Sequence, residues 1–148
     1  MDAIKNFVQL TEQFATAGQP TIEQFNRVAA NGYHHVINLA MPDNPYALAE
    51  EGSIVTGLGM NYLHIPVMFD HPKPVQLRLF CQLLKLMGQD KVFIHCIMNY
   101  RVSAFMYHYL TKIEDYSEEQ ARSPVLEHWQ PDAVWRDLLA WSAEQIGL

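Results

Sequence analysis

Apolar positions recur along the chain with two periods, and the alternation between them outlines the architecture. Ile4, Phe7, Val8, Thr11 and Phe14 fall at helical spacing and predict a first amphipathic helix ending before the turn Ala17-Gly18-Gln19-Pro20. Thr21 followed by Gln24 matches a capping box. Ile22, Phe25, Val28 and Ala29 then form the apolar stripe of a second helix, stopped by Gly32. His35 to Leu39 reads as a short buried strand. A helical stretch follows from about Pro45 to Thr56, ended by Gly57 and Gly59, and then a strand over Tyr62 to Val67. Pro74 to Met87 carries a wide apolar face and predicts a buried helix. Lys91 to His95 is a further strand, and Arg101 to Ile113 a helix that packs against it. Ser117 with Gln120 caps another helix, and Pro131 to Ile146 reads as a last one with Trp135 and Leu138 turned inward.

Strands that alternate with helices of this length imply right-handed crossovers, hence an α/β fold with a mostly parallel central sheet flanked by helices. Ligands in such sheets sit at the carboxyl ends of the strands. No repeat, low-complexity tract or flexible linker divides the 148 residues, so one domain over 1–148 is expected. With 49% hydrophobic residues and no long apolar run, the chain shows no transmembrane span. The first residues lack a basic n-region and an apolar h-region, so the chain is expected in the cytoplasm with its two cysteines as thiols. A formal net charge of −6 argues against a nucleic-acid or anionic-membrane partner. Any bound anion must therefore be held by a local site.

One such site is written at Lys91 to Phe105, K-V-F-I-H-C-I-M-N-Y-R-V-S-A-F. A thiol becomes a useful nucleophile where positive potential stabilises its thiolate, at a helix N-terminus or beside an arginine. Cys96 is offered both. The amides of Ile97, Met98, Asn99, Tyr100 and Arg101 can converge on an anion, the following helix adds its positive end, and Arg101 supplies a planar fork for two oxygens. Asn99 suits a turn position with positive φ.

His95-Cys96-x-x-Asn99-x-Arg101, with Ala17-Gly18-Gln19-Pro20 and Val36-Ile37-Asn38-Leu39 upstream, resembles the bacterial dual-specificity-phosphatase-like family. That family lies in the cysteine-dependent tyrosine phosphatase superfamily and is related to the phosphatase-like domain of beta-lactamase-hydrolase-like proteins. The likeness runs from about Ala15 to Leu110. It implies a cysteine-phosphatase fold with Cys96 as nucleophile, Arg101 as phosphate clamp and His95 as a residue that orients the cradle. It implies neither metal nor cofactor, and a phosphorylated small molecule or phosphoprotein as partner. The chain departs from the phosphatase signature in three respects. Four residues separate Cys96 from Arg101, one fewer than usual. Asn99 stands where glycine is usual, and Val102 follows the arginine, with Ser103 as the nearest hydroxyl. Loops this short also resemble those of rhodanese-type sulfurtransferases, in which the thiolate carries a single persulfide sulfur.

Expulsion of an alkoxide needs a general acid, worth roughly 10²–10⁴-fold. Asp70, 26 residues before Cys96 in Phe69-Asp70-His71-Pro72, is the candidate, with His71 as an alternative acid or a hydrogen-bonding partner. Gln19, in the Gly-Gln-Pro turn, is a candidate neighbour of the cradle. Cys81 lies in an amphipathic helix without anion-binding context and reads as core. Three readings stay open on these residues: a phosphatase, a sulfurtransferase working through a Cys96 persulfide, and a module that binds anions without turnover.

Overall fold

Strand β5 (Val92–His95) is the axis of the molecule, and all four of its residues are buried. The structure, a computed structural model, describes residues 1–148. Around β5 lie β1 (Val8–Gln9), β2 (Phe14–Ala17), β3 (His35–Asn38) and β4 (Asn61–His64), in the spatial order β1-β2-β5-β3-β4. β2, β5, β3 and β4 run parallel, and β1 pairs antiparallel with β2. The register aligns Ala17, His95, Asn38 and His64 in one row. All four parallel strands therefore end together, and the chain segments leaving them meet at one edge of the sheet.

Helices cover both faces, as continuous apolar strands require. Side chains alternate along β5: Phe93 packs with Phe25, Val28 and Val55, while Val92, Ile94 and Cys96 belong to the larger core on the other face. The first face is covered by α1 (Ile22–Ala30) and α2 (Glu51–Gly57). The second is covered by α3 (Pro74–Leu86) and α4 (Tyr100–Lys112). Outside α4 lie α5 (Glu118–Ala121), α6 (Pro124–His128) and α7 (Ala133–Leu139), and α8 (Ala143–Ile146) packs on α3. Ten successive residues of α4, Arg101 to Leu110, are buried, so this helix has no solvent face and its first turn cannot drift. Cys81 is buried within α3, and burial pushes its thiol up to about 12, in keeping with a core role.

Beyond β4, which ends at His64 rather than at Val67, three elements differ from expectation. The N-terminal segment is a hairpin rather than a helix. Asn6 turns the chain with φ 50°, and the Thr11 hydroxyl accepts from the amides of Gln13 and Phe14, so local hydrogen bonds compete with helix. β2 then completes its bonding on β5, a non-local gain that spacing cannot register. The second difference is at Glu50, whose φ of 57° starts α2 six residues later than Pro45–Thr56 suggests, leaving Met41 to Ala49 as a loop. The last predicted helix is broken in two: Asp132 caps α7, and Ser142 with Gln145 forms a capping box that starts α8. That capping box is written in the sequence.

His108 in α4 is buried without exposed area; its Nε2 faces the Leu138 carbonyl at 2.6 Å, and its Nδ1 has no partner. Burial lowers its pKa to about 4. The unfolded histidine binds a proton below about 6.5, so the native state holds fewer protons between those values. The contribution is present in full above pH ~6.5 and is lost as pH falls towards 4, on the order of 2–3 kcal/mol. Urea unfolding followed from pH 7 to 4.5 is expected to show this loss. In His108→Gln the slope over that window should flatten; an unchanged slope would assign the acid sensitivity elsewhere.

Candidate functional site

β5 ends at His95 and delivers Cys96 to the aligned edge of the sheet, where six residues, Cys96 to Arg101, lead into α4. Three consecutive carbonyls of this loop are held from outside. The Cys96 carbonyl accepts from His95 Nδ1 at 3.0 Å, the Ile97 carbonyl from the Gln19 amide at 3.0 Å, and the Met98 carbonyl from Asn6 Nδ2 at 2.9 Å. In a trans peptide the N–H points opposite to the C=O. Fixing these oxygens outward therefore turns the amides of Ile97, Met98 and Asn99 inward. None of the amides from Ile97 to Arg101 donates to a protein acceptor. Such a set of free, converging donors at a helix start is an arrangement that accepts an oxyanion.

Asn99 adopts φ 67°, the left-handed conformation that asparagine tolerates better than most residues. Glycine would reach the same angle but could not make the bonds seen here. Asn99 Nδ2 donates to the Asn6 carbonyl at 2.8 Å and to Thr16 Oγ1 at 3.0 Å, and its Oδ1 accepts from Ser103 Oγ at 3.2 Å. Ser103 is thus buried behind the loop. Gly18 pairs with Met98 in an isolated bridge, and a Cβ there would collide with the Ile97 carbonyl oxygen. Glycine is required at this position by close backbone approach.

Behind the loop lies a buried acid that the sequence did not single out. Glu51, in the first turn of α2, meets His95 Nε2 at 2.7 Å with one oxygen and accepts from Gln19 Nε2 at 2.7 Å with the other. Burial would raise its carboxyl; the hydrogen bonds and charge of His95, with donors on Gln19 and Tyr62, outweigh that and hold it below the usual carboxylate range. Both ring nitrogens of His95 face acceptors, the Cys96 carbonyl and the Glu51 carboxylate, so the imidazole is held from both sides. One carboxylate thereby steadies two of the three anchors, His95 directly and Gln19 through its side chain. Tyr62 accepts from Asn38 Nδ2 at 2.9 Å, and burial raises its pKa.

Arg101 is 6% exposed, donates from a terminal nitrogen to the Val67 carbonyl at 2.9 Å, and lies 5.6 Å over the Phe69 ring. Its Nε is buried without a partner. Phe69 is itself fixed, with its carbonyl accepting from Trp135 Nε1 at 2.7 Å and its ring packing on Trp129 and Trp135. A cleft of about 580 Å³ opens between these groups, lined by Cys96, Ile97, Met98, Tyr100 and Arg101 together with Met41, Asp43, Asn44, Pro45 and Phe69. Cys96 has no exposed area of its own, which puts it at the inner end. Asp70 and His71 are exposed beside Phe69, outside the residues that line the cleft, and neither side chain makes a hydrogen bond. Asp43 does line it. Nothing in the spacing of the Met41–Ala49 loop points to Asp43, and Asn6 carries no signal because the segment around it reads as helix.

The parallel sheet, the cysteine after its central strand and the arginine five residues on, at the start of α4, form the fold of the tyrosine phosphatase-like proteins. No family model and no curated protein sequence matches the chain. Solved structures do. A protein of Shewanella putrefaciens CN-32 described as a putative phosphatase (DUF442) is 30% identical, with a TM-score of 0.84 over 93% of this chain and 91% of that one. The chain belongs to that DUF442 family. Tk-PTP in its active form superposes with a TM-score of 0.74 at 19% identity, covering 90% of this chain and 92% of its own. PTPMT1 in complex with PI(5)P gives 0.73 at 15% identity over 90% and 91%. These two show the shared fold.

Two substitutions test the anchoring. Glu51→Gln removes the charged partner of a buried pair and is expected to cost about 3 kcal/mol in denaturant unfolding. The double variant Glu51→Gln/His95→Asn should cost less than the sum of the single ones, and strict additivity would mean that the two side chains do not act as a unit. Asn6→Ala frees the Met98 carbonyl and should weaken sulfate or vanadate binding by about fivefold, the loss of one hydrogen bond's ~1 kcal/mol; unchanged affinity would show that the third peptide holds itself.

Proposed function

We propose that the protein is a cysteine-dependent phosphatase that hydrolyses a phosphate monoester through a phosphocysteine. The observation that carries this reading is the set of free amides, Ile97 to Arg101, gathered around Cys96 by outward-tied carbonyls, with a partly unpartnered guanidinium beside them. The Cys96 thiolate attacks phosphorus, the P–O ester bond breaks, and a carboxylic acid protonates the leaving oxygen. Water then attacks the phosphocysteine, the same carboxylate takes its proton, and phosphate leaves with the thiolate restored. Arg101 and the loop amides hold the three equatorial oxygens. His95 orients the loop, and no metal or cofactor enters the cycle.

Two carboxylates compete for the acid role. Asp70 stands one residue beyond Phe69, which lines the cleft, and its exposed side chain lies at the rim. Asp43 already lines the cleft from the opposite wall. His71 next to Asp70 is a further acid. The walls formed by Met41, Pro45, Phe69 and Tyr100 fit an aryl ester, which supports a tyrosine or dual-specificity type of phosphatase acting on a phosphoprotein or a phosphorylated small molecule. Tyr100 is stiffened by stacking on Trp129, with centroids 4.8 Å apart and planes 2° from parallel. A fold neighbour, PTPMT1, has been solved with PI(5)P, a phosphorylated ligand. No helix is long and apolar enough to cross a membrane, and two free thiols suit a reducing cytoplasm.

One observation favours a second reading. With four residues between Cys96 and Arg101 the loop is short, and a single persulfide sulfur on Cys96 needs less room than a tetrahedral phosphate. A sulfurtransferase would use the same thiolate and amides and no carboxylic acid. A module that binds oxyanions without turnover would use them with no acid and no reaction.

Hydrolysis of p-nitrophenyl phosphate should vanish in Cys96→Ser and fall by about 10²-fold or more in Arg101→Lys, which lacks the fork. Of Asp70→Asn and Asp43→Asn, the true acid's variant should lose roughly 10²–10⁴-fold on alkyl phosphates and far less on the nitrophenyl ester, whose leaving group needs no proton. Equal rates for wild type and Cys96→Ser would end the phosphatase reading. A stable Cys96 persulfide after thiosulfate treatment, with activity indifferent to both aspartates, would install the sulfurtransferase instead.

A further inference from the structure

Helix α3 is apolar on two sides, and the chain covers only one of them. Leu77, Phe80, Cys81 and Leu84 are buried in the core. Val75, Leu79, Leu83 and Leu86, spaced four, four and three residues apart, form a second stripe on the outer side, with Val75 50%, Leu79 44% and Leu86 84% exposed. The outer side of a helix on a soluble domain is ordinarily polar. Beside the stripe runs β4, the edge strand of the sheet. Between the two lies a groove of about 330 Å³, formed by Leu63, Leu83, Leu86 and Met87, with His35 and Asp90 at one end.

The strand has bonding of its own to complete. The Asn61 amide donates to the His34 carbonyl and the Ile65 amide to the Asn38 carbonyl, both at 2.9 Å. Alternate residues of such a ladder face the neighbouring strand, so Tyr62 and His64 turn their N–H and C=O groups to the open edge. An occupant that fits this face offers a strand and an apolar stripe together. A membrane surface offers only apolar contact and leaves those peptide groups without partners.

We propose that a second copy of this chain covers the face, in a dimer whose twofold axis passes through Leu63. Antiparallel pairing about that axis joins Tyr62 of each copy to His64 of the other by two hydrogen bonds, which uses every open peptide group of both strands. The same axis matches the helices. Gln76 donates to the Pro66 carbonyl at 2.9 Å, while Met87 lines the groove with Asn61, so α3 runs antiparallel to β4. Eleven helical residues and five strand residues both rise about 16 Å, which sets Leu83 level with Leu63. The two stripes then lie side by side in opposite directions, with Leu79 of one copy against Leu86 and Met87 of the other.

Charge agrees with this pairing. From His71 to Gln89 the chain has no acid. Arg78 reaches Gly147 on the α8 side, and Lys85 follows it two turns on along the same flank, so neither meets its own copy across the axis. Lys73 is exposed and forms no ion pair within its chain. Asp90, 51% exposed, is the one acid of the groove and meets His35 Nε2 at 2.9 Å. Antiparallel pairing carries the start of α3, with Lys73, to the groove end of the other copy, with Asp90, twice in each dimer.

Sedimentation velocity on the full chain over a wide concentration range tests this. The wild type is expected to pass from one chain to two as concentration rises, with hydrogen exchange of the Tyr62 and His64 amides slowed in the dimer alone. Leu86→Glu should weaken association at least about a hundredfold, with the melting temperature of the dilute protein unchanged. Lys73→Glu and Asp90→Lys should each weaken it about tenfold, because each acts at both ends of the axis. Mixed together, those two variants should associate as the wild type does, since a mixed pair carries one native and one reversed ion pair. A single chain at every concentration, a dimer that Leu86→Glu leaves intact, or a mixture no tighter than the separate variants overturns the proposal. Binding of the single chain to phosphatidylglycerol vesicles through Leu86 overturns it too, and makes the stripe a membrane face. The phosphatase reading stands in each of these cases, because no residue of the cleft takes part.

Discussion

The site depends on one constraint: peptide planes are rigid, and three successive planes after β5 have their oxygens tied to the surrounding structure. Without those ties a loop of six residues would sample many amide orientations, and ordering it on a ligand would cost roughly 1–2 kcal/mol for each residue fixed. The ties come from parts of the chain far apart in sequence. Asn6 reaches from the N-terminal hairpin, Gln19 from the turn after β2, and His95 from the strand itself. Folding therefore bears the cost of pre-organisation before any anion arrives. Asn6 and Asn99, both with positive φ, are linked through each other's segments, so the hairpin and the loop hold one another in conformations that neither would favour alone.

Burial of charge follows from the same need. A carboxylate with almost no exposed area is costly unless its oxygens are satisfied, and Glu51 is satisfied only because His95 and Gln19 both face it. Those two residues also anchor the loop, so a rearrangement of either that releases the Cys96 or the Ile97 carbonyl also disturbs a donor to a buried anion. The ion pair adds stiffness rather than net stability. It also places a compensated charge behind the loop, leaving the free amides and Arg101 to set the potential in front of it. An acidic protein can hold an anion on these terms because a few aligned dipoles at short range outweigh a diffuse net charge screened beyond about 10 Å.

Packing does the rest. α4 is buried on every side, which fixes the direction of Arg101 at its start. The aromatic cluster of Phe69, Trp129 and Trp135 supports the guanidinium from below and holds the segment next to Asp70. The cleft is therefore rigid on the arginine side. Its opposite wall is the irregular Met41–Ala49 loop, which carries Asp43.

From sequence alone, the parallel α/β class, most helix boundaries, the strand that presents Cys96, the helix that presents Arg101 and the special backbone of Asn99 were all legible. Each is encoded locally: apolar period, capping boxes such as Thr21 with Gln24, and a residue type suited to φ above zero. Tertiary structure alone decided that residues 8 to 17 are a hairpin, because β2 bonds to a strand some 78 residues away and no local period records that pairing. It alone brought Glu51, Asn6 and Asp43 to the loop, since a lone acid in a helix's first turn or a lone asparagine in a turn carries no sign of a distant partner. It also set Ser103 behind the loop and Asp70 at the rim. Local chemistry fixes what a residue can do; only the convergence of separate segments determines which residues face the same few ångströms of space.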